Sequence, residues 1–430
     1  MRDPIYKQRR IAPAAAEFDT HCSRVNDFIV MSEGCSNVYL IETPAGGILI
    51  NSGQGFEAPV HRHNLERFST VPVKYLVTTQ GHVDHVGGVR YFRDLYPELS
   101  YIAQAGNDEH QNYDARLSGF RAARAAFRFK DDFTEVFKRY AAAGYTQFNP
   151  QDRPTPDITF DKEYKFTLGG LDVVLIAVPG AETNDSLVVW LPQHRIVFTG
   201  NLFGCPFGHF PNLVTIRGDR YRDALVCAAA AHVVLDLKPE LLIYGHHEPI
   251  AGAVLIRTEV TAYRDAIHHV HDEVVKGMNA GKELHVLQNE IQLPPHCEVG
   301  QGYGKISWSI RAIWEYYAGW FKHQSTTELY SVPQKAIHAD LVELAGADAL
   351  LARAREKAGA GRQEEALHLV DIVLNAQPDN TAARALAIEV HETLLADAKT
   401  YCTTGNFWLA GWLQNQIKLL KGGKTESLSL

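Results

Sequence analysis

Through the first 250 residues the apolar positions fall in short, nearly unbroken runs separated by glycine and polar turns; beyond Pro333 they recur at helical spacing instead. The run from Asn37 to Gly53 reads as two β-rich pieces joined at Ala45-Gly46-Gly47, a hairpin signal. Tyr75-Leu76-Val77-Thr78 reads as a buried strand, and Val86 to Leu95 resumes at helical spacing. Residues 107–145 are rich in Ala, Arg, Phe and Lys with few turn residues, which predicts a helical insert acting as a lid. Strand signals return at 172–178, 186–190 and 195–198, followed by a helix over 221–235. The strand 241–244 leads into Gly245-His246-His247, and a long helix follows over 254–278. Two groups of strands with helices outside predict an α/β fold layered helix–sheet–sheet–helix.

Beyond Pro333 strand signals vanish. Ala366, Leu369, Val370 and Val373 fall at i, i+3, i+4 and i+7, and Ala383, Leu386, Ala387, Val390 and Leu394 continue the helical pattern after the turn Gln377-Pro378-Asp379-Asn380. The pair resembles a tetratricopeptide-type helical hairpin, an all-α unit that needs neighbours to bury its apolar faces. Docking on a second copy is therefore expected, giving a homodimer through residues 336–430. The expected organisation is a catalytic domain over 1–280 with its lid at 106–150, a connecting arm over 281–335, and the helical dimerisation domain over 336–430.

A chain of 430 residues is too long for one ordinary core, which agrees with two domains. A net charge of -8 excludes a general nucleic-acid binder, although a local basic pocket for an anionic small molecule stays compatible with it. Six scattered cysteines without a Cys-x-x-Cys pair read as reduced thiols. The polar N-terminus lacks a signal-peptide core, and no run approaches the roughly 20 apolar residues that cross a bilayer. A cytoplasmic protein with no membrane partner is the expectation.

The chemistry concentrates on the turn after the strand at 75–78, where His82, Asp84 and His85 fall within four residues. Loops at strand ends are where α/β folds place reactive groups. Two imidazoles and a carboxylate suit a borderline divalent metal.

Four segments, in order, resemble the metallo-β-lactamase fold. The family's His-x-His-x-Asp-His is here Gln80-Gly81-His82-Val83-Asp84-His85. Its Gly-His-Thr-x-x-Ser is filled by Pro179 to Ser186, with Glu182 at the His place. Its Phe-Thr-Gly-Asp is Phe198-Thr199-Gly200-Asn201, and its Gly-His is Gly245-His246. The resemblance implies an αββα sandwich in which one metal takes His82 and Glu182 with Gln80 as third ligand, a second takes Asp84, His85 and His246, and Asn201 lies between them. Glutamine and asparagine are neutral and bind zinc poorly, so one well-held ion at Asp84, His85 and His246 is expected, a second at His82 and Glu182 being the alternative. Zinc is the expected metal, with iron or manganese as alternatives. Asn201 reads as a hydrogen-bonding group, and Asn51 stands where relatives usually carry Asp.

The second half resembles, more narrowly, the alkyl sulfatases of that superfamily. Asn212-Leu213-Val214-Thr215-Ile216-Arg217-Gly218, His246-His247-Glu248-Pro249, the arm from Tyr303 to Phe321, and Pro378-Asp379-Asn380 with Ala383-Arg384 carry the likeness. It implies that Asn212, Thr215 and Arg217 lie near a sulfate, which a guanidinium fork grips well. The alternative for Arg217 is a salt bridge in the Asp219 or Asp223 region. The family's second Glu is replaced by Asn201, and a lipid-carrier-like module that many relatives carry after the helical domain is not expected here. Arg121, Arg124 and Arg128 share one face of the lid helix and read as a solvated face, with attraction of an anion as the functional alternative. The lid phenylalanines read as its own packing.

The leading expectation is a metal-dependent hydrolase of an ester, sulfate ester or lactone. Its metal would acidify a bound water, Asp84 would hold the metal and orient that water, and His247 or a nearby acid would protonate the leaving group. A second reading follows from Glu182, which hardens the ligand set toward non-haem iron; a β-hydroxylase of this superfamily is similar in carrying Glu there. A third is a binding or scaffold relative that has lost metal through Gln80, Asn201 and Asn51.

Overall fold

The computed structural model describes residues 3–8, 14–145, 149–402 and 405–422. Strands β1 (Cys22–Arg24), β2 (Ile29–Ser32), β3 (Val38–Thr43), β4 (Gly46–Ile50), β5 (Val73–Val77), β6 (Ser100–Gln104) and β7 (Ile158–Phe160) form one sheet in that order. The first four pair antiparallel, and β4 through β7 run parallel. Strands β8 (Glu163–Leu168), β9 (Leu171–Ala177), β10 (Leu187–Leu191), β11 (Ile196–Phe198), β12 (Leu241–Ile243) and β13 (Ile250–Ala251) form the second sheet, ordered β13-β12-β11-β10-β9-β8. Within it β11 and β12 are parallel and the other neighbours antiparallel.

Successive strand side chains point to opposite faces. Ile41, Ile48 and Ile50 accordingly meet Val173, Leu175, Val189 and Phe198 between the sheets. Leu40 and Leu49 face outward into a layer with Leu65, Val89 and Phe92. That layer comes from α1 (Ala58–Glu66) and α3 (Val89–Leu95), which flank the short α2 (Val83–Val86). Because both faces are covered, β3 and β4 read as continuous apolar runs. Their register runs from Tyr39 opposite Ile50 to Thr43 opposite Gly46. Gly46 turns the hairpin with φ 132°, a conformation L side chains rarely adopt, and the Thr43 hydroxyl donates to its carbonyl at 2.8 Å. On the far side, α6 (Ala224–Leu237) and α7 (Ala253–Asn279) cover the second sheet, with Cys227, Ala231, Val260 and Ile267 packed over Val188, Val197 and Leu242. The αββα sandwich expected from the sequence is the observed fold.

The helical insert forms α4 (Asn107–Arg116) and α5 (Ser118–Ala142), and the arginines of its shared face are engaged within the protein, with Arg124 exposed and Arg121 and Arg128 half-buried. Arg121 pairs with Asp114 and, at 2.6 Å, with Asp219. Arg124 donates to the carbonyls of Ile216 and Arg217 at 2.6 and 2.7 Å. Arg128 lies 4.0 Å from the Phe407 ring centroid. Nor do the lid aromatics pack only among themselves: Phe127 meets Trp408 and Trp412, and Phe129 meets Phe407.

Their partners belong to the last described helix. After α8 (Leu284–Glu290) and α9 (Ile306–Ala318), the C-terminal part comprises α10 (His338–Ala345), α11 (Ala347–Gly359), α12 (Gln363–Ala376), α13 (Thr381–Ala398) and α14 (Phe407–Leu420). Leu351, Ala366, Val370, Leu386 and Val390 make its own core, on the spacing read from the sequence. Asn380 and Asn406 cap α13 and α14, each accepting from a backbone N–H at 2.9 Å. Helix α14 then crosses from this bundle onto α5, which ties the C-terminal region to the lid.

Candidate metal centre

The site lies where β4, β5, β11 and β12 end, at the carboxyl edge of the sandwich. Leaving β4, Asn51 takes φ 63°, a left-handed conformation that Asn tolerates better than most side chains. Its Oδ1 accepts from the Thr79 backbone N–H at 2.9 Å and from the Thr79 hydroxyl at 3.1 Å. Asn51 therefore shapes the turn after β5 rather than standing as a lost ligand. The Ser52 backbone N–H and hydroxyl donate to the His85 carbonyl at 3.0 and 2.8 Å, and the Ser36 hydroxyl donates to the Asp84 carbonyl. These bonds fix α2, with His82 at its N-cap.

On the second sheet, the Gly245 N–H donates to the Gly200 carbonyl at 2.8 Å, and the Asn37 N–H donates to the Gly245 carbonyl at 2.7 Å. His246 is thus carried to His85, whose ring centroid lies 6.2 Å from its own. One ligand atom each from Asp84, His85 and His246 lie within 4.8 Å of one another. His85 Nε2 and His246 Nδ1 are buried without hydrogen-bond partners, as is Asn201 Oδ1 beside them. Burial pushes the His246 imidazole down to about 3 against the pull of Asp84, and pushes His85 below its ordinary value. Neutral imidazoles with unpartnered nitrogens, beside a carboxylate, are a donor set that fits a divalent cation.

The second expected ligand group is arranged differently. His82 Nδ1 lies 4.0 Å from Glu182 Oε1, but also 2.7 Å from Gln80 Nε2. Glu182 is held by Arg222, whose Nη2 donates to Glu182 Oε1 at 2.9 Å and whose Nε donates to its carbonyl at 2.8 Å. Burial raises the Glu182 carboxyl and Arg222 opposes it. Burial pushes the His82 imidazole well down, and the guanidinium charges of Arg217 and Arg222 add to the effect.

Of the expected sulfate residues, Thr215 Oγ1 and Arg217 Nε are buried without partners, and Arg217 lies close enough for its charge to act on His82 and Glu182. The alternative salt bridges are taken by others: Asp219 pairs with Arg121, and Asp223 caps α6. Asn212 packs at Gly304, and its carbonyl accepts from Arg222 Nη1. His247 is buried with φ 56°, its Nδ1 3.5 Å from Glu33 Oε1.

Sequence reading missed Arg222, His110 and Trp408. Arg222 follows Arg217 by five positions, and no local pattern ties it to Glu182. The His110 ring comes from α4 to 5.1 Å from that of His82, and Trp408 comes from α14 to Arg217. Both are long-range placements.

A family described as Metallo-beta-lactamase superfamily matches residues 32–246, half of the chain, and one described as Alkyl sulfatase dimerisation matches residues 284–416. The linear primary-alkylsulfatase of Pseudomonas sp. is 26% identical over 362 residues, covering 80% of this chain and 67% of the relative. The alkyl/aryl-sulfatase of Saccharomyces cerevisiae is 26% identical over 420 residues, covering 92% and 63%, and the (R)-specific secondary-alkylsulfatase of Pseudomonas sp. is 25% identical over 413 residues, covering 91% and 61%. The solved structure of a stereoselective inverting sec-alkylsulfatase from Pseudomonas sp. superimposes with a TM-score of 0.79 at 22% identity, covering 94% of this chain and 66% of the other. This chain spans about three fifths to two thirds of the length of these relatives. A sandwich with ligands converging at its strand ends, followed by a helical region matched separately, agrees with both families, and the chain belongs to the metallo-β-lactamase superfamily.

Proposed function

We propose that this protein is a metal-dependent sulfatase that hydrolyses the sulfate ester of a small organic molecule to an alcohol and inorganic sulfate. The observation that carries the reading is the convergence of Asp84, His85 and His246, beside His82 and Glu182 on which the half-buried Arg217 acts, with the buried Arg217 Nε left without a partner among the described residues. The alkylsulfatase relatives favour hydrolysis over the oxygenase and binding-protein readings.

Asp84, His85 and His246 would hold the ion, with zinc the metal we favour. When bound, it supplies Lewis acidity and brings a water towards neutrality. Arg217 and the Thr215 hydroxyl hold the sulfate oxygens, and Asn212 fixes the segment that carries them. Asp84 orients the attacking water through its free lone pairs. His247, buried against Glu33, supplies the leaving oxygen with a proton from its imidazole. Arg222 keeps Glu182 from folding into the anion's place.

The test is sulfate release from octyl sulfate and 4-nitrophenyl sulfate, with a phenyl ester and a lactone as comparisons. Chelation should abolish turnover and zinc should restore it. Turnover that survives exhaustive chelation, or no sulfate ester cleaved, overturns the reading; iron in the isolated protein with oxygen uptake would favour the oxygenase.

The same proposal includes a homodimer through residues 336–430 and the arm over 281–335, with the catalytic domain over 1–280. Large apolar side chains are exposed along this stretch: Trp320 and Tyr330 at 71%, Val332 at 67% and Leu344 at 84%. We assign these side chains to the interface because they fall in the region matched by the Alkyl sulfatase dimerisation family or in the arm leading to it. Light scattering at micromolar concentration should give twice the chain mass. No helix among the described residues is long and apolar enough to cross a membrane, and we place the protein in the cytoplasm on its scattered cysteines, which form no Cys-x-x-Cys pair in the sequence, to be checked by fractionation.

A further inference from the structure

Gln80 occupies the place where the family resemblance implies a histidine, and its amide is fixed at both ends. The Asn201 backbone N–H donates to Gln80 Oε1 at 3.2 Å. A backbone N–H can only donate, so the atom facing it is the carbonyl oxygen and the NH2 group faces away. That NH2 lies 2.7 Å from His82 Nδ1. An amide NH2 can only donate in turn, so Nδ1 carries the lone pair and the ring proton sits on Nε2. A metal shared with Glu182 would sit at Nδ1, which lies 4.0 Å from Glu182 Oε1, but the Gln80 NH2 already takes that lone pair; a metal at Nε2 would need the lone pair of that nitrogen instead. The proton would then move to Nδ1 and set N–H against N–H across 2.7 Å.

Glu182, the other residue implied for this ion, is committed to Arg222 through both its carboxylate and its carbonyl. Asp84, His85 and His246 are the one group of three or more His, Cys, Asp or Glu with converging ligand atoms among the described residues. The first metal position of the superfamily therefore does not fit an ion in this chain.

What His82 offers instead is a donor. Its Nε2 is buried and has no partner among the described residues. Buried donors are almost always satisfied, so an orphan of this kind points to an acceptor that arrives with a ligand. Arg217, whose own Nε is unpartnered, is near enough to act on His82. Neutral and cationic donors together suit an oxyanion.

We propose that Gln80 locks His82 in the Nε2–H tautomer, that the chain binds one metal ion rather than two, and that the His82 N–H grips an oxygen of the substrate's sulfate beside Arg217. The last clause rests on the sulfatase reading above; the first two do not.

Elemental analysis of the full chain, dialysed against excess zinc and then gel-filtered, should give one zinc per chain. Long-range proton–nitrogen correlation spectra of histidine-labelled protein should show a neutral Nε2–H ring that disappears in His82→Leu. Zinc should stay at one per chain in both His82→Leu and His82→Gln. With octyl sulfate, KM should rise about tenfold in His82→Leu, the size of one lost hydrogen bond to a charged group, and recover in His82→Gln, which keeps a terminal N–H. Two zinc ions per unmodified chain, an Nδ1–H ring, or loss of zinc from a folded His82→Leu overturns the proposal. The unmodified protein alone supplies the zinc count, so a misfolding variant leaves it decidable. If no sulfate ester is cleaved and inorganic sulfate does not bind, the sulfatase reading and the oxyanion clause fall together, while zinc count and tautomer still decide the rest.

Discussion

The guanidinium of Arg217 lies 5.7 Å from the ring centroid of Trp408. One residue belongs to the segment before α6, the other to the last described helix. Trp408 is 1% exposed and also meets Phe127, Phe129, Tyr303 and Phe407. The helical C-terminal part thus supplies an aromatic wall beside Arg217, and α5 holds that wall by the same aromatic contacts. A cation over an aromatic face gains about 0.5–2 kcal/mol, most where water is excluded. Trp408 therefore fixes the arginine's direction without neutralising it, which leaves its charge for a substrate.

Trp408→Ala should cost about 3–5 kcal/mol of stability, the range for emptying a large aromatic site. Trp408→Phe should keep the fold and the zinc while raising KM for octyl sulfate. Urea unfolding and steady-state kinetics separate the two effects. An unchanged KM in Trp408→Phe and Trp408→Leu alike would remove Trp408 from substrate binding.

Asp84→Ala, His85→Ala and His246→Ala should each lower zinc affinity by more than about 100-fold, since loss of mere supporting partners already costs 10–100-fold. Competition with a chromophoric chelator measures this directly. A variant that retains full affinity would not have lost a ligand.

A methyl group on Gly245 would come within 2.2 Å of Asn201 Oδ1 and 3.1 Å of His85 Cε1. Gly245→Ala should therefore displace Asn201 and weaken zinc binding about tenfold, on the order of the loss from disturbing supporting groups. Gly119 offers the contrast: it lies in α5 with nothing near its missing Cβ. Gly119→Ala should stabilise the protein by about 0.5–1 kcal/mol and leave zinc binding alone. Thermal unfolding and the chelator assay read both.

Burial pushes His61, His209 and His246 each down to about 3. His209 Nδ1 accepts from the Gly302 N–H at 2.8 Å, a bond that needs the neutral ring. The unfolded chain binds protons on these rings below about pH 6.5, whereas the folded protein refuses them until near pH 3. Their contribution is complete above pH 6.5 and is lost as pH falls toward 3. Between pH 7 and pH 5 the chelated protein should lose on the order of 1–2 kcal/mol per histidine. Urea midpoints at pH 7, 6 and 5 test this, and a flat profile would contradict neutral burial.

Much of the sandwich was legible because its strands are covered on both faces, so that the hairpin over 37–53 and the runs at 75–78, 186–190 and 195–198 stand out in the sequence. Other strands left no clear mark. β8 is an edge strand whose residues alternate between half-buried and exposed, a weaker signal in six residues. β1 and β7 are three residues each. The bundle was legible for the opposite reason, a helical period sustained over two helices.

By itself the sequence determined the layered fold, the helical C-terminal region, and the metal-ligating types at Asp84, His85 and His246, because periodicity and short spacings are local properties of a chain. It could also say that Gln80 is not a histidine. It could not say what Gln80 does: only the fold brings the Asn201 amide to one end of that side chain and His82 to the other. Arg222 on Glu182 and Trp408 on Arg217 were decided in the same way, since contacts between distant segments follow from packing, which no run of neighbouring residues encodes.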